Sequence, residues 1–304
     1  MKILFLGSSH FSKIVLKTML EQGLEVVSVV TSPDKEMGRG HKLQANEVKV
    51  YALEKNIKVI CCSKIKNILD ELKNIEFDLS VVASFGQILP DEFLNLKLCI
   101  NVHPSKLPIY RGASPIQNTL LNGDKETAVT IMKVAREVDA GDIILQKPVK
   151  ILEGDYYSSL EERLAKIGGE LIAETVNLLK KDEIKFKKQD DKFATYVKKF
   201  EKEDGLLNFN SENDKLYNQV RALSDNLGVY FNLKNQKIKV FSAIPCEINL
   251  PIGQVANDKK RFIIGCNKGS LEILSCQSPS GKKMSGTDFL NGFKPQGEFV
   301  NELC

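Results

Sequence analysis

An asparagine and a histidine stand two residues apart where an apolar run ends. The run Leu98–Val102 is typical of a buried strand, and Asn101 and His103 lie at its end. Side chains two apart in a strand point to the same side, so an amide donor and an imidazole would face one point. In open parallel sheets, ligands bind beyond the carboxyl ends of strands. A hydrogen-bonded polar pair that merely ends a strand is the alternative.

An acidic loop further along the chain is a candidate partner for this pair. Prolines 104 and 108 stiffen the segment after His103, and the loop Val138–Asp142 contains Gly141 between two expected strands. A nearby carboxylate favours the charged form of an imidazole, so Asp139 is a candidate to orient His103. A simple turn role for Asp139 remains the alternative.

These two segments together resemble the folate-dependent formyltransferases. Residues 101–108 carry the pattern Asn-x-His-x-Ser-x-Leu-Pro, and residues 139–141 carry Asp-x-Gly. The similarity covers nearly the whole chain. It includes further segments in the family's order, namely Thr31–Asp34, Gly38–Leu43, Ser84–Pro90, Ala194–Tyr196, Lys202–Gly205, Gly281–Met284 and Asp288–Gly292.

The resemblance implies a chemistry for the three polar residues. An amine would attack the formyl carbon of 10-formyltetrahydrofolate, the co-substrate, and the formyl oxygen would become an oxyanion. Asn101 and protonated His103 would donate hydrogen bonds to that oxygen, and Asp139 would hold the imidazole ring and a water. Within the family, the resemblance implies methionyl initiator tRNA as the acceptor. No metal and no covalent nucleophile are needed.

The resemblance also implies binding surfaces for the two substrates. Arg39, His41 and Lys42 lie in a glycine-containing loop and would contact the tRNA acceptor end, since cations suit phosphates. The lysine-rich stretch 180–202 would track the tRNA backbone or form a solvated linker. Lys106 stands where the family usually has Leu. Two segments would wall the folate pocket, formed by Phe85, Gly86, Gln87, Ile88 and Leu89 and by Ser105, Lys106, Leu107 and Pro108.

Three other functions stay open at this point. The first is a formyltransferase that acts on an amino sugar-nucleotide, although segments 38–42, 202–205 and 281–284 argue against it. The second is a formyltetrahydrofolate hydrolase. The third is a tRNA-binding protein without activity. An argument against it is that Asn101, His103 and Asp139 are all present.

The elements that must position these residues follow a repeating pattern over the first part of the chain. Continuous apolar runs alternate with helical spacing, which indicates an α/β fold with a Rossmann-like, mostly parallel sheet. The Gly7-Ser8-Ser9 turn lacks the Gly-x-Gly-x-x-Gly pattern, so we expect no dinucleotide site. The expected strands are Ile3–Leu6, Glu25–Thr31, Ile57–Ile60, Asp78–Ser84, Leu98–Val102, Thr127–Val134 and Ile143–Val149.

The sequence pattern changes after the lysine-rich stretch. Short apolar runs separated by turn residues predict a small, OB-like β-barrel. We therefore expect a catalytic, 10-formyltetrahydrofolate-binding domain over residues 1–188, a linker over 189–206, and a tRNA-binding barrel over 207–304. Where the family usually has Pro-Trp-Pro-Gly, this chain has the segment Asp225–Gly228. This difference concerns the contact surface of the barrel and leaves the chemistry unaffected.

Composition sets the remaining expectations. No apolar run approaches 18 residues and no signal-peptide core follows Met1, so we expect a cytoplasmic protein without membrane contact. The seven cysteines form no Cys-x-x-Cys pair and the three histidines lie far apart, which predicts no metal site. The formal net charge of +4 permits an anionic partner such as tRNA. We expect a monomer that does not bind DNA.

Overall fold

A seven-stranded sheet organises the first part of the chain in the computed structural model, which describes residues 1–37, 42–256, 258 and 260–301. Its backbone forms two compact units. The first comprises residues 1–115, 126–150 and 161–197, and the second comprises residues 116–125, 151–160 and 198–304. Two short segments that we expected inside the catalytic domain, 116–125 and 151–160, therefore belong to the second unit.

Six strands in the sheet of the first unit run in one direction, and one strand runs against them. The strands are β1 (Lys2–Gly7), β2 (Glu25–Thr31), β5 (Lys58–Cys61), β6 (Leu79–Ala83), β7 (Leu98–His103), β9 (Glu126–Lys133) and β10 (Ile143–Lys150). Reading across the sheet, the order is β10-β9-β7-β6-β1-β2-β5; the five strands from β7 to β5 pair in parallel, whereas β9 pairs antiparallel with both β7 and β10. The central strands β1 and β6 are mostly apolar and are buried on both faces.

Helices and short strands connect the strands of this sheet. The short strands β3 (Lys35–Met37) and β4 (Lys42–Gln44) pair as a hairpin that the sequence pattern did not indicate. A further short strand, β8 (Arg111–Gly112), follows β7. The helices begun before residue 160 are α1 (His10–Glu21), α2 (Glu47–Glu54), α3 (Leu69–Lys73) after a 3-10 turn at Ile65–Ile68, α4 (Asp91–Leu94), α5 (Pro115–Leu121) and α6 (Tyr157–Lys180).

Two loops lie beside β7. Strand β6 pairs with β7 as far as Val82 opposite Asn101, so the turn after β6 begins next to that residue. Strand β9 runs antiparallel to β7, and Val134 N–H donates to the Cys99 carbonyl at 2.8 Å. The loop 134–142 therefore starts beside the beginning of β7, and its Asp139 reaches Asn101 further along the strand.

Part of the expected linker is built into the first unit. Lys187 forms a two-bond bridge with Ile143, and β11 (Tyr196–Val197) pairs in parallel with β8. A 3-10 turn at Asp191–Phe193 lies between them. Residues 189–197 thus pack against the sheet unit, and residues 198–206 belong to the second unit.

The second unit is a small closed barrel, as the sequence predicts. Its sheet order is β12-β13-β15-β14, with β16 also on β15. Bridges from Ile264 to Val255, from Gln254 to Phe299 and from Val300 to Leu233 join its two edges. The elements are α7 (Asn213–Leu223), β12 (Val229–Leu233), β13 (Gln236–Cys246), β14 (Ile263–Gly265), β15 (Ser270–Gln277), β16 (Met284–Ser285) and α8 (Gly286–Phe293), with a 3-10 turn at Lys202–Gly205.

The α/β sheet with a C-terminal β-barrel confirms the expected fold class. In the described part of the chain, no helix combines the length and apolarity that a bilayer crossing needs.

Candidate active site

The structure brings Asn101, His103 and Asp139 together. His103 is buried at the end of β7, and its Nδ1 lies 3.6 Å from Asp139 Oδ2. Its Nε2 lies 3.0 Å from the Tyr110 carbonyl oxygen. Because a carbonyl can only accept, Nε2 must carry the proton of this bond, and a second proton on Nδ1 would complete an ion pair with Asp139. Asn101 Nδ2 donates to the other carboxylate oxygen, Oδ1, at 3.4 Å.

The Asp139 carboxylate is held from a third side by backbone. Gly112 N–H donates to Oδ2 at 2.8 Å, so this oxygen faces both the amide and the imidazole. Asp139 itself has a φ of +51°, in the left-handed region that Asp tolerates better than most residues. Two positions along, a Cβ on Gly141 would collide with the Lys133 carbonyl oxygen, so this loop requires glycine.

The segment after His103 is a tightly bonded loop. Ser105 is fully buried, and its hydroxyl donates to the Ile109 carbonyl at 2.6 Å, while its own carbonyl accepts from Thr130 Oγ1 at 2.7 Å. Gln146 Nε2 donates to the Leu107 carbonyl at 3.0 Å. Of the side chains predicted to bind folate here, Ser105 and Leu107 therefore point into the protein.

The other two predicted folate contacts in this segment differ. Lys106 is exposed, and its ammonium pairs with Glu126 at 3.1 Å. Pro108 follows a cis peptide bond after Leu107. Where the family usually has Leu, this chain thus places a charged side chain on the surface of the loop.

The turn from Ser84 to Leu89 is the second predicted folate wall. Phe85 and Leu89 are buried in an apolar cluster, whereas Ile88 is 87% exposed. Gln87 faces the protein, because its amide donates to the Cys62 carbonyl and accepts from Ile65 N–H, both at 3.0 Å. Gly86 adopts a φ of +74°. Apart from Ile88, this turn offers backbone to a ligand more than side chains.

Most of the residues predicted to contact tRNA lie outside the part of the chain that the structure describes. Arg39 and His41 lie outside the described residues. Lys42 begins β4, and its side chain is likewise outside the description. Their assignment rests on the sequence.

Two buried polar residues that the sequence patterns did not indicate lie beside this site. Arg111 is almost fully buried, and its guanidinium donates to Gln189, Asp191 and Tyr196. Burial by itself lowers the pKa of Arg111, but the hydrogen bonds to Asp191 and Tyr196 outweigh it and raise the pKa. Arg111 stands three residues after the motif of residues 101–108, which was a usable signal. Gln189 lay in the lysine-rich stretch and carried none.

The thiol of Cys99, in the same strand as Asn101 and His103, is unsuited to nucleophilic chemistry. Cys99 lies in β7 and is buried, and burial raises the pKa of its thiol well above the usual range. It therefore stays protonated at neutral pH. Within the residues that the structure describes, no three His, Cys, Asp or Glu side chains gather as metal ligands.

Known proteins resemble this chain along its length. Residues 1–176 match the family described as formyl transferase, and residues 199–294 match formyl transferase, C-terminal domain. The methionyl-tRNA formyltransferase of Sulfurihydrogenibium sp. is 38% identical over 303 residues, covering 97% of this chain and 97% of the relative. That of Caldanaerobacter subterraneus is 38% identical over 308 residues, covering 99% and 100%.

Solved structures share the fold at lower identity. The N-formyltransferase of Helicobacter canadensis, solved with folinic acid and dTDP-3-aminofucose, has a TM-score of 0.68 at 19% identity, covering 93% of this chain and 100% of that one. HypX of Aquifex aeolicus, solved with tetrahydrofolic acid, has a TM-score of 0.66 at 18% identity. The match covers 98% of this chain but 48% of HypX, so the chain spans about half of its length.

Proposed function

The chain belongs to the formyl transferase family, and on that premise we propose that it transfers a formyl group from 10-formyltetrahydrofolate to the amino group of methionyl initiator tRNA. The observation that carries the proposal is 38% identity, over 97% of both chains, to a relative named methionyl-tRNA formyltransferase. The grouping of Asn101, His103 and Asp139 supports it independently, since these residues suit the chemistry that the transfer requires.

The transfer forms one carbon–nitrogen bond and breaks another. The methionyl amine attacks the formyl carbon, negative charge develops on the formyl oxygen, and the folate nitrogen then leaves. Asn101 Nδ2 has a second hydrogen besides the one it donates to Asp139 Oδ1, and His103 Nδ1 lies 3.6 Å from Oδ2, so each would be able to donate to a formyl oxygen bound beside them. In comparable sites, removing one such donor lowers kcat by about 10²–10³-fold.

A proton must move from the attacking amine to the departing folate nitrogen. His103 is the residue that can accept and donate it, directly or through a water. Asp139 Oδ2 lies 3.6 Å from His103 Nδ1 and would hold the ring in place during this transfer. The Tyr110 carbonyl keeps the ring in place through the bond to Nε2.

The two predicted folate walls suit a heterocycle with amide-like edges. In the described part of the chain, the backbone groups of residues 86–89 make no hydrogen bond to other backbone groups, so they are available to such an edge. The exposed side chain of Ile88 offers an apolar face beside them. We propose that Phe85–Leu89 and Ser105–Pro108 hold the co-substrate, largely through backbone.

We also propose that Arg39, His41, Lys42 and the C-terminal unit contact tRNA. Each cation on a phosphate releases a counterion, so the logarithm of affinity should fall linearly with the logarithm of salt concentration. Steady-state kinetics of Arg39→Ala, with each substrate varied in turn, tests the loop. We expect a raised KM for tRNA and an unchanged KM for folate. The reverse result would assign the loop to folate.

A competition among acceptors tests the function as a whole. Purified protein and 10-formyltetrahydrofolate are offered methionyl initiator tRNA, an amino sugar-nucleotide or water alone. We expect formylmethionyl-tRNA and neither other product. Preferential formylation of the sugar-nucleotide, the class of compound present in the Helicobacter canadensis structure, would overturn the proposal, as would formate release without an acceptor.

A further inference from the structure

The Asp139 loop is held by a glutamine that comes from the stretch expected to be a linker. Gln189 is buried, and its Nε2 donates to the carbonyl oxygens of Asp139 and Gly141 at 2.8 and 2.7 Å. Both amide hydrogens are thus used on the loop that carries the candidate carboxylate. These two bonds hold the backbone on either side of Ala140.

Arg111 fixes which way this amide points. Its Nε and Nη2 both donate to Gln189 Oε1, at 3.1 and 2.9 Å. A guanidinium has no acceptor and a carbonyl has no donor, so a primary amide is the group that can bond both at once. The oxygen must face Arg111, and the nitrogen must therefore face the loop.

The arginine is itself anchored on its far side. Nη2 also donates to Asp191 Oδ1 at 2.7 Å and Nη1 donates to the Tyr196 hydroxyl at 3.0 Å. The residue after it, Gly112, donates its N–H to the Asp139 carboxylate. A Cβ on Gly112 would collide with the Val197 carbonyl, so β11 lies directly against this backbone.

We propose that Arg111 and Gln189 are positioning residues for Asp139. The pair sets the backbone of the loop, while Gly112 N–H sets the carboxylate, and Arg111 and Gly112 are the two residues of β8. Asp139 adopts a φ of +51°, so the loop needs such external bonds to keep its place. The inference rests on the proposed function, because Asp139 is taken as the group that supports His103.

Gln189→Glu separates positioning from folding. A carboxylate at this position still accepts from Arg111, so the buried cation keeps its partner. However, its second oxygen faces two carbonyl oxygens and can no longer hold the loop. We expect kcat to fall by about 10²-fold, with KM for both substrates nearly unchanged, because a displacement of about 1 Å has an effect of that size.

Gln146→Met is the matched control. Gln146 also binds a site loop through its amide, but it contacts Leu107 and Thr130 and does not contact Asp139. We expect this variant to raise KM for folate, since its loop is a proposed folate wall. Gln189→Met has a side chain of similar length that lacks the amide. It removes the bonds to the loop without adding a charge, and so shows whether the loss in Gln189→Glu comes from the missing bonds.

A double-mutant cycle tests the route through Asp139. If Gln189 acts through Asp139, Gln189→Glu should lower kcat less than about threefold in an Asp139→Asn background, because coupled residues are not additive. Gln146→Met should have the same effect in both backgrounds. An equal loss from Gln189→Glu in both backgrounds, or no loss in the parent, would overturn the proposal.

A second measurement is independent of activity and hence of the proposed function. Hydrogen exchange of residues 137–143 should be about tenfold faster in Gln189→Glu and unchanged in Gln146→Met. Unchanged exchange in Gln189→Glu would overturn the positioning role even in an active enzyme. An inactive parent would instead refute the function, while the exchange result would still decide whether Gln189 holds the loop.

Discussion

The two units bury different kinds of side chain. Around the candidate site of the first unit the buried groups include Arg111, Gln189 and His103, each with polar partners. The barrel instead contains a row of aromatic rings with adjacent centroids between 4.5 and 6.1 Å apart, formed by Phe209, Phe231, Phe262, Phe289 and Phe293.

The difference separates two uses of a folded interior. A buried polar group is costly unless paired, so a satisfied polar network permits few arrangements and fixes atoms in place. Stacked and edge-on rings bury much apolar area and so contribute mainly to stability. We therefore expect substitutions beside the site to affect turnover more than stability, and substitutions in the aromatic row to do the reverse.

Removing a central ring should give the largest stability change. Phe262 packs against Phe231 edge-on and against Phe289 in a stack with centroids 5.1 Å apart. Phe262→Ala should lower the free energy of unfolding by about 3–5 kcal/mol. Hydrogen exchange of the β14 and β15 peptides locates the loss. Phe293→Ala, at the partly exposed end of the row, is the control and should cost less. Equal losses would show that the row is not a core.

Removing the imidazole should affect turnover most. His103→Ala should lower kcat by about 10²–10³-fold, since a donor to the developing charge is lost. Its stability cost should stay within about 1–3 kcal/mol, because one part-buried hydrogen bond, from Nε2 to the Tyr110 carbonyl, is lost. His10→Ala is the control, because His10 is an exposed residue paired with Glu47. Near-normal turnover of folded His103→Ala would exclude the proposed mechanism.

Sequence patterns predicted what depends on neighbours along the chain. The apolar run Ile3–Leu6 lies within β1, and the expected strand Glu25–Thr31 has the same bounds as β2. The grouping of Asn101 and His103 followed from strand alternation. Their predicted roles remain to be tested by the kinetics above.

What the patterns could not show depends on distant contacts. Gln189 binds residues 50 and 78 positions away, and no periodicity or turn signal marks it. Lysines on either side made its surroundings read as a solvated linker. Buried polar networks are hard to infer from sequence because each polar residue is chosen by a partner that the fold supplies.

A buried thiol in the barrel gives a pH test of the apolar interior. Burial raises the pKa of Cys276 to about 12, whereas an unfolded thiol titrates near about 8.5. Between these values the unfolded chain has lost the proton and the folded chain keeps it. Stability due to this thiol is therefore full below about pH 8.5 and falls above it, by about 1.4 kcal/mol per pH unit.

Cys276→Ala should remove this dependence. The difference in unfolding free energy between parent and variant should shift by about 2 kcal/mol from pH 8.5 to pH 10, in favour of the variant. Urea unfolding at both pH values measures it. Val240→Ala, at the position paired with Cys276 across the sheet, leaves a cavity without a titrating group. Its difference from the parent should not change with pH, and a constant gap for Cys276→Ala would contradict the prediction.

The smallest expected effect concerns a polar residue of the barrel that serves local structure. Ser285 caps α8: its hydroxyl accepts from the Asp288 N–H at 3.1 Å and donates to the Asp288 carboxylate at 2.7 Å. Both bonds are exposed to solvent, so water can replace them in part. Ser285→Ala should therefore lower the free energy of unfolding by only about 1 kcal/mol, and Ser285→Gly by a few tenths, because glycine leaves the helix end open to water. Turnover should be unchanged in both. A loss above about 3 kcal/mol, measured by urea unfolding, would mean that the barrel too depends on a polar network, and the contrast between the two units would fail.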